Sequence, residues 1–362
     1  MKESAKNMKD NLLFEKPEPV VQGLVIEITG NCNGECKYCY SVGNRLDGGM
    51  MSRDDVLRIL LEANSLGCQE VKISGGEPLL HPHVNSILES ALAVFARVYL
   101  LTNGAPITPQ VALKLAALPG HLFVQVSLDS ADEAINDEMR GMGAYGKAVE
   151  GIVVLVEAGL GRRLSIRSTL SSLTVTGIEG LVRLARSFGT DVRFAALTPV
   201  GKGRDLWSSL GLSADDYLKA FDTIVRLSRE YPDLRILQVE PRHRCRLIDT
   251  QGMETYPVIR PEGDTYLCPY MDSPGLFVGN AVEQSLRQVI LGNPAMRVIA
   301  RARRKIGEIV RCRECLWHGP CQGGCPGLAL ILRRSDKTDG NCDARTEIFA
   351  RQLAAVGNAR VC

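Results

Sequence analysis

The stretch GLVIEITGNCNGECKYCY, residues 23–40, decides the fold. Its first seven residues read as a β-strand. Three cysteines, Cys32, Cys36 and Cys39, follow directly behind it. A strand that ends in a loop dense with thiols is an unusual pairing, and the rest of the chain can be tested against it.

Outward from that strand, short β-rich runs alternate with helical patterns. The runs are EVKIS (70–74), RVYLLT (97–102), LFVQVSL (122–128), RLSIRST (163–169) and DVRFAAL (191–197). One helix is expected to begin at Ser52, whose hydroxyl can cap it, with Asp55 three residues on as a partial capping box. Others are expected over about 83–96, 109–118, 146–159 and 176–188. Six βα units in series place the chain in the α/β class, with a parallel sheet and crossover helices. Right-handed crossovers curl such a sheet into a full or partial barrel.

In such folds chemistry gathers at the C-terminal ends of strands. The distinctive residues sit there. The cysteines follow the first strand and Gly75-Gly76-Glu77-Pro78 the second. Thr102-Asn103-Gly104 ends the third, and Ser127-Leu128-Asp129 the fourth. Pro199-Val200-Gly201 follows the sixth. Any loop favours Gly, Pro, Asn and Asp. That accounts for the residue types, but not for the cysteines beside them.

A helix from about Ser213 to Glu230 and a strand near Leu234–Val239 close this region. Beyond about residue 240 the alternation stops and cysteines dominate. The expected organisation is an N-terminal extension (1–22), a six-stranded partial barrel (23–235), a small cysteine-rich domain (236–345) and a C-terminal helix and tail (346–362). The cysteine-rich part has few long apolar segments, so metal centres would supply its cross-links.

Composition bounds the function. The 362 residues are 45% hydrophobic and 23% charged, as in an ordinary globular protein. Lys plus Arg number 43 and Asp plus Glu 41, a net charge of +2, which gives no argument for nucleic acid or a membrane surface. No apolar run reaches the roughly 20 residues of a membrane helix. The charged N-terminus has no apolar signal core, so the cytoplasm is expected. Twelve cysteines in a reducing compartment argue for metal or redox chemistry rather than disulfides.

Three thiolates on a short loop can hold three irons of a four-iron cluster, which ordinarily takes four cysteines. The fourth iron is then open for chemistry. A zinc site here would need a fourth ligand from elsewhere. At these residues the chain resembles the radical S-adenosylmethionine (radical SAM) superfamily. Its signature has this cysteine spacing with an aromatic residue, here Tyr38, before the last cysteine. The resemblance implies that Gly75, Gly76, Glu77 and Pro78 bind the methionine amino group. It implies ribose contacts at Ser127 and Asp129, and arginines for the methionine carboxylate at Arg140 and Arg167. Asn103 belongs to the same cofactor site, and the backbone near Leu197 would approach adenine. Asn136 and Ser130 depart from the common pattern, where histidine and glycine are frequent. The implied chemistry is reductive cleavage of S-adenosylmethionine to a 5′-deoxyadenosyl radical. A radical that reactive calls for a closed, apolar pocket.

The second array runs Cys312, Cys315, Cys321, Cys325 and Cys342, with Cys245 and Cys268 upstream. Pairs spaced like Cys312 and Cys315 also occur in zinc ribbons, so zinc is a real alternative. Seven cysteines fit two four-ligand sites better than one. The spacing resembles the SPASM extension, which carries two auxiliary four-iron clusters and brings the total to three. By that resemblance Cys312, Cys315, Cys321 and Cys342 hold the outer cluster. Cys245, Cys268 and Cys325 hold the inner one. A further cysteine common between Cys245 and Cys268 is missing, and His243 or Cys362 are candidates to replace it.

Cys68 reads as a small core residue, His81 and His83 as loop or cap residues, and Trp317 as packing over a cluster. The basic segment Arg301–Arg313 reads as a solvated face or as a surface for a reductant such as flavodoxin or ferredoxin. The family most often modifies peptides and proteins by oxidation: thioether or carbon–carbon cross-links, or side-chain oxidation. Only some 22 residues precede the first strand, so a leader-gripping module is not expected. That suits small-molecule relatives too, such as aminocyclitol dehydrogenases and tetrapyrrole side-chain modifiers. A metal-bearing binding module without activity is the non-enzymatic alternative.

Overall fold

The structure is a computed structural model. It describes residues 20–41, 48–237, 245, 254–307, 309–321, 323–333 and 338–359. Residues 1–19, His243 and Cys362 lie outside that set.

Six parallel strands form the frame: β1 (Leu24–Glu27), β2 (Glu70–Ser74), β3 (Arg97–Thr102), β4 (Leu122–Ser127), β5 (Leu164–Leu170) and β6 (Asp191–Ala196). They pair in sequence order, each with the next. One face of each strand packs against the helices: Ile26, Ile73, Leu100, Val124 and Ile166 are fully buried in one core. The alternate residues point inward and are largely polar or charged. This two-faced pattern is the period of a strand with one side on a helix layer and the other on a cavity.

The first crossover helix, α1 (Arg53–Ser65), starts as its sequence predicts. Ser52 accepts from the Asp55 amide, and its hydroxyl donates to the Asp55 carboxylate at 2.6 Å. Helices α2 (Val84–Val94), α3 (Pro109–Ala117), α4 (Glu133–Arg140), α5 (Ala144–Glu157) and α6 (Ile178–Ser187) follow. Next come α7 (Gly203–Leu210) and α8 (Ala214–Glu230). Helices α4 and α7 are absent from the sequence reading. The α4 start was legible, since the Asp132 carboxylate accepts from the amides of Ala134 and Ile135. So was its end, where Gly141 has φ of 100°.

The sheet does not stop with the sixth strand. Among the described residues it has ten strands. A short β7 (Ile236–Leu237) extends it beyond β6. At the other edge β8 (Val258–Ile259) lies parallel to β1, pairing Val258 with Val25. Then β9 (Asp264–Tyr266) and β10 (Gly279–Asn280) continue antiparallel. The segment after residue 240 thus builds directly on the first strand. A separate parallel pairing joins Val20–Val21 to Glu254–Thr255. A second, smaller core around Leu267, Met271, Val278 and Val298 includes partly buried Cys245 and Cys268.

One buried ion network fastens the two parts. Glu27 is fully buried and pairs with Arg260 at 2.6 Å. Arg260 also pairs with Asp272 and donates to the Tyr40 carbonyl at 3.3 Å. Burial pushes the Glu27 carboxyl up, and Arg260 pulls it back. Cys68 is buried, as expected of a core residue. His81 is also buried, its ring bound to the Met51 carbonyl, and His83 stands at the start of α2.

Removing one partner of such a pair leaves an unpaired charge in the interior. Arg260→Met is expected to cost about 3–5 kcal/mol in a chemical denaturation curve. Glu27→Gln with Arg260→Met together should recover part of that loss.

Candidate functional site

The cysteine loop is sewn to its neighbours mainly through backbone. Gly76 N–H donates to the Thr29 carbonyl at 2.6 Å, and Glu77 N–H to the Asn31 carbonyl at 2.7 Å. This is why two glycines stand at 75 and 76. A Cβ on Gly76 would lie 2.4 Å from the Asn31 oxygen, and one on Gly75 would lie 2.4 Å from the Thr29 oxygen. The loop after β6 makes a similar approach. Lys202 N–H donates to the Cys39 carbonyl at 2.9 Å, and Gly201, at φ of +56°, passes close under Tyr40. From the α4 end, Lys37 N–H donates to the Met139 carbonyl at 3.0 Å.

Side chains complete the fastening. Tyr38 hydrogen-bonds the Asp129 carboxylate, and Arg140 donates to the Tyr38 hydroxyl at 2.6 Å. Arg140 reaches Asp129 itself at 3.4 Å, while Thr169 N–H donates to the other Asp129 oxygen at 2.8 Å. The Asp129 side chain is fully buried, with both oxygens engaged. Asn136, the departure from the family pattern noted above, is also fully buried. Its side-chain oxygen accepts from the Asp129 amide at 3.0 Å. Ser130 is equally buried, and its hydroxyl accepts from Asp132 N–H.

Glu77 is the second buried acid of the site. It accepts from Asn103 N–H at 2.7 Å, from the Thr102 hydroxyl at 2.9 Å and from Leu79 N–H at 3.2 Å. Burial is the larger influence and pushes its carboxyl up to about 7. Pro78 opens the short 3₁₀ turn behind it. The Asn103 amide meets Asn33 at 2.7 Å and stands 4.0 Å from Cys32 Sγ. Thus the third-strand loop touches both the acid and the cysteines.

Beneath this lies a cavity of about 490 Å³ inside the barrel. Tyr38, Arg167, Thr169 and Leu197 line it near the cysteine loop, and Cys245 and Cys268 line it from the C-terminal part. Arg167 is exposed to it, and Ser127, half-buried, is its register partner across β4 and β5. The lining is mainly apolar, as expected, with Val25, Leu101, Val200, Val258 and Leu267 among it, and Lys72, Gln125, Arg167 and Thr169 are its polar exceptions. A chamber that must hold zwitterionic and polar ligands needs polar partners for them.

The C-terminal cysteines fall into separate places. Cys312, Cys315, Cys321 and Cys342 line one small cavity of about 30 Å³, together with Trp317, His318, Arg345 and Phe349. The Trp317 ring lies 5.4 Å from that of Phe349. Arg345, 1% exposed, directs Nη1 to Cys321 Sγ at 3.5 Å and pairs with Asp339. Asp339 in turn accepts from Cys325 N–H at 2.8 Å. Cys325 is buried and lines neither cavity. The described cysteines carry free thiols. Burial pushes both Cys32 and Cys312 up to about 11. Thiols held that high become thiolates when a metal supplies the compensating charge. Cys312, Cys315, Cys321 and Cys342 thus share one cavity and Cys245 and Cys268 another, while among the described residues no group of three or more His, Cys, Asp or Glu is arranged to hold a metal ion. Side chains 301–308, within the basic segment, lie outside the described set.

Residues 26–184 match the family described as the Radical SAM superfamily. The chain is 30% identical to the AdoMet-dependent heme synthase of Methanosarcina barkeri, over 82% of this chain and 89% of that protein. It is 29% identical to the mycofactocin maturase MftC of Mycobacterium tuberculosis, over 83% of this chain and 77% of the relative. Among solved structures, SuiB of Streptococcus suis bound to S-adenosylmethionine superposes with a TM-score of 0.74 at 19% identity, covering 95% of this chain and 82% of that one. The enzyme anSMEcpe with bound AdoMet gives 0.71 at 17%, covering 93% and 98%. The chain belongs to the radical SAM superfamily. It is an enzyme of the branch with a SPASM-type extension, and that membership carries a four-iron cluster and S-adenosylmethionine. No helix among the described residues is long and apolar enough to cross a membrane.

Gly76→Ala should destabilise the fold by about 2 kcal/mol or more, since backbone opposes backbone there. Because the displaced partner leads into Cys32, iron content after reconstitution should fall in parallel, measured per chain against the parent.

Proposed function

We propose that this enzyme cleaves S-adenosylmethionine at the mouth of the barrel and oxidatively modifies a peptide. The observation that carries the reading is the convergence of four strand-end loops on the cysteine loop, by backbone bonds, the Asp129–Tyr38–Arg140 network and the Asn103–Asn33 bond. Cys32, Cys36 and Cys39 would hold the cluster. That group, when bound, supplies the electron that splits S-adenosylmethionine into methionine and a hydrogen-abstracting 5′-deoxyadenosyl radical.

The chain's own residues bind and orient. Glu77 offers a buried carboxylate to the methionine ammonium, with the Gly75–Gly76 backbone beside it. Arg167 and Arg140 present guanidinium groups for the methionine carboxylate, and Ser127 lies beside Arg167 for the ribose. Asp129 and Asn103 act mainly by position, the first through Tyr38 and Arg140, the second through Glu77 and Asn33. Leu197 lines the same end of the cavity, where adenine would lie. Holding the reacting groups in one orientation away from water is the protein's share of the work.

Cys312, Cys315, Cys321 and Cys342 are proposed as the outer auxiliary set, and Cys245, Cys268 and Cys325 as the inner one, three clusters in all. A reductant such as flavodoxin or ferredoxin, and a cytoplasmic setting, complete the picture. A peptide substrate is favoured by likeness to MftC and to AlbA, the subtilosin biosynthesis protein of Bacillus subtilis, 24% identical over 85% of this chain and 67% of that one. The 30% identity to a heme synthase favours a second reading, a tetrapyrrole side chain in the same chamber.

Anaerobic reconstitution with iron and sulfide, then S-adenosylmethionine and dithionite, should yield 5′-deoxyadenosine. Iron incorporation without that product would refute the reading. About twelve irons per chain are expected for three clusters, and about four would remove the auxiliary assignment. S-Adenosylmethionine affinity should depend on Glu77. Its carboxyl, at about 7 in the free protein, must be ionised to meet the ammonium. Affinity should therefore be full above pH 7 and fall toward tenfold per unit below it. Glu77→Gln should remove that slope and weaken binding about tenfold, read by equilibrium dialysis.

A further inference from the structure

Arg345 stands in the wall of the cavity shared by Cys312, Cys315, Cys321 and Cys342. It is 1% exposed. Arg311 and His318 line the same cavity, and both are exposed. Arg345 lies three residues past Cys342 in the C-terminal helix Cys342–Ala359, so the two share a helix face. Its Nη1 meets Cys321 Sγ at 3.5 Å, and its Nη2 pairs with Asp339. Its Nε is buried and has no hydrogen-bond partner among the described residues. A buried donor left unmade is costly, and the cost is offset when a bound group supplies the acceptor.

The arginine is fixed from behind. Asp339, also 1% exposed, accepts from Cys325 N–H at 2.8 Å and from Asn341 N–H at 3.1 Å. Gly324, at φ of +81°, leaves room for the pair. A Cβ there would lie 2.4 Å from Asp339 Oδ2 and 2.7 Å from Arg345 Nη1. Burial opposes the charge of Arg345, while Asp339, Cys321 and Cys342 favour it and hold its pKa above the ordinary range. One nitrogen thus serves the carboxylate and a second the sulfur, and the third is spare. A zinc ion would draw its four ligands to one point. A four-iron group takes one thiolate per iron, so its cysteines need not converge. The four cysteines share a cavity without converging on a single ion site, which suits the second kind of group.

We propose, on the reading of these four cysteines as holders of the outer auxiliary cluster, that Arg345 is the positioning residue that sets that centre's reduction potential. Its Nη1 stays on Cys321, and its Nε gives a second N–H to the sulfur atoms of the bound group. Reduction adds negative charge to a group already anionic. A buried cation and N–H donors on sulfur favour the reduced form and raise the potential. Asp339 works against that effect from the far side of the arginine, and its bond to Cys325 N–H ties the same pair to the inner cysteine set.

The test uses the full chain, reconstituted anaerobically with iron and sulfide. It is titrated with dithionite in the presence of redox mediators, and the cluster signals are followed by electron paramagnetic resonance. Arg345→Met should lower one midpoint and leave the others in place. The expected fall is about tenfold in the reduction equilibrium, about 59 mV for one electron. Asp339→Asn, which leaves the arginine's charge unopposed, should move the same midpoint upward. Where Arg345→Met alone fails to fold, Arg345→Met with Asp339→Asn removes the pair together, and the midpoint should still fall. Arg345→Lys keeps the charge without the fork and should lie between parent and Arg345→Met. Arg311→Gln, at the exposed side of the cavity, should shift the midpoint less. An arginine that only supports the fold would lower iron content and leave the potentials unmoved. Unmoved midpoints at about twelve irons per chain, an equal shift from Arg311→Gln, or a downward shift from Asp339→Asn would each overturn the role of Arg345. About four irons in the parent would instead remove the outer centre, and with it the reading beneath this proposal.

Discussion

Two short backbone bonds, from Gly76 and Glu77 to the carbonyls of Thr29 and Asn31, set the geometry on which the site depends. They clamp the loop after β2 onto the segment that leads into Cys32. No side chain could do this, because Cβ atoms on Gly75 and Gly76 would collide with the carbonyls they must approach. The same contact carries Glu77 under Asn103 and buries it. Position of the cysteines, burial of the acid and identity of the two glycines are thus one constraint.

Around that clamp the charges are arranged in nested pairs. Asp129 joins Tyr38 of the cysteine loop to Arg140 of α4 and to the β5 backbone. Glu27 joins the end of β1 to Arg260. Asp339 joins Arg345, beside Cys321, to the backbone of Cys325. Each is a buried carboxylate with an arginine, and each links a cysteine-bearing segment to its support. A buried charge tolerates no substitute geometry, so these pairs hold direction where apolar packing would allow slippage.

The barrel was legible because its strands carry β-rich runs and its crossover helix caps are local chemistry. EVKIS and RVYLLT match β2 and β3 to the residue. The cofactor loops were legible for the same reason: each follows its strand. What the sequence hid was long-range. Nothing near Val258 announces that it pairs with Val25, because two-residue strands carry no period. Asn136 was noted only as a departure from the family pattern, yet it holds the Asp129 amide, a bond visible only once α4 is folded against the strand end.

The pairing of β1 with β8 has a consequence for the order in which the molecule is made. Its two strands lie more than 200 residues apart in the chain. A ribosome therefore delivers the first strand, the cysteine loop and the whole barrel before the residues that cover β1's outer edge exist. Until Val258–Ile259 and Arg260 emerge, that edge is an open template for a neighbouring chain, and Glu27 has no counter-charge. Late closure of an early strand makes folding slow and exposes it to misassembly. Synthesis of this enzyme thus passes through a long interval in which its first strand must be kept from foreign partners.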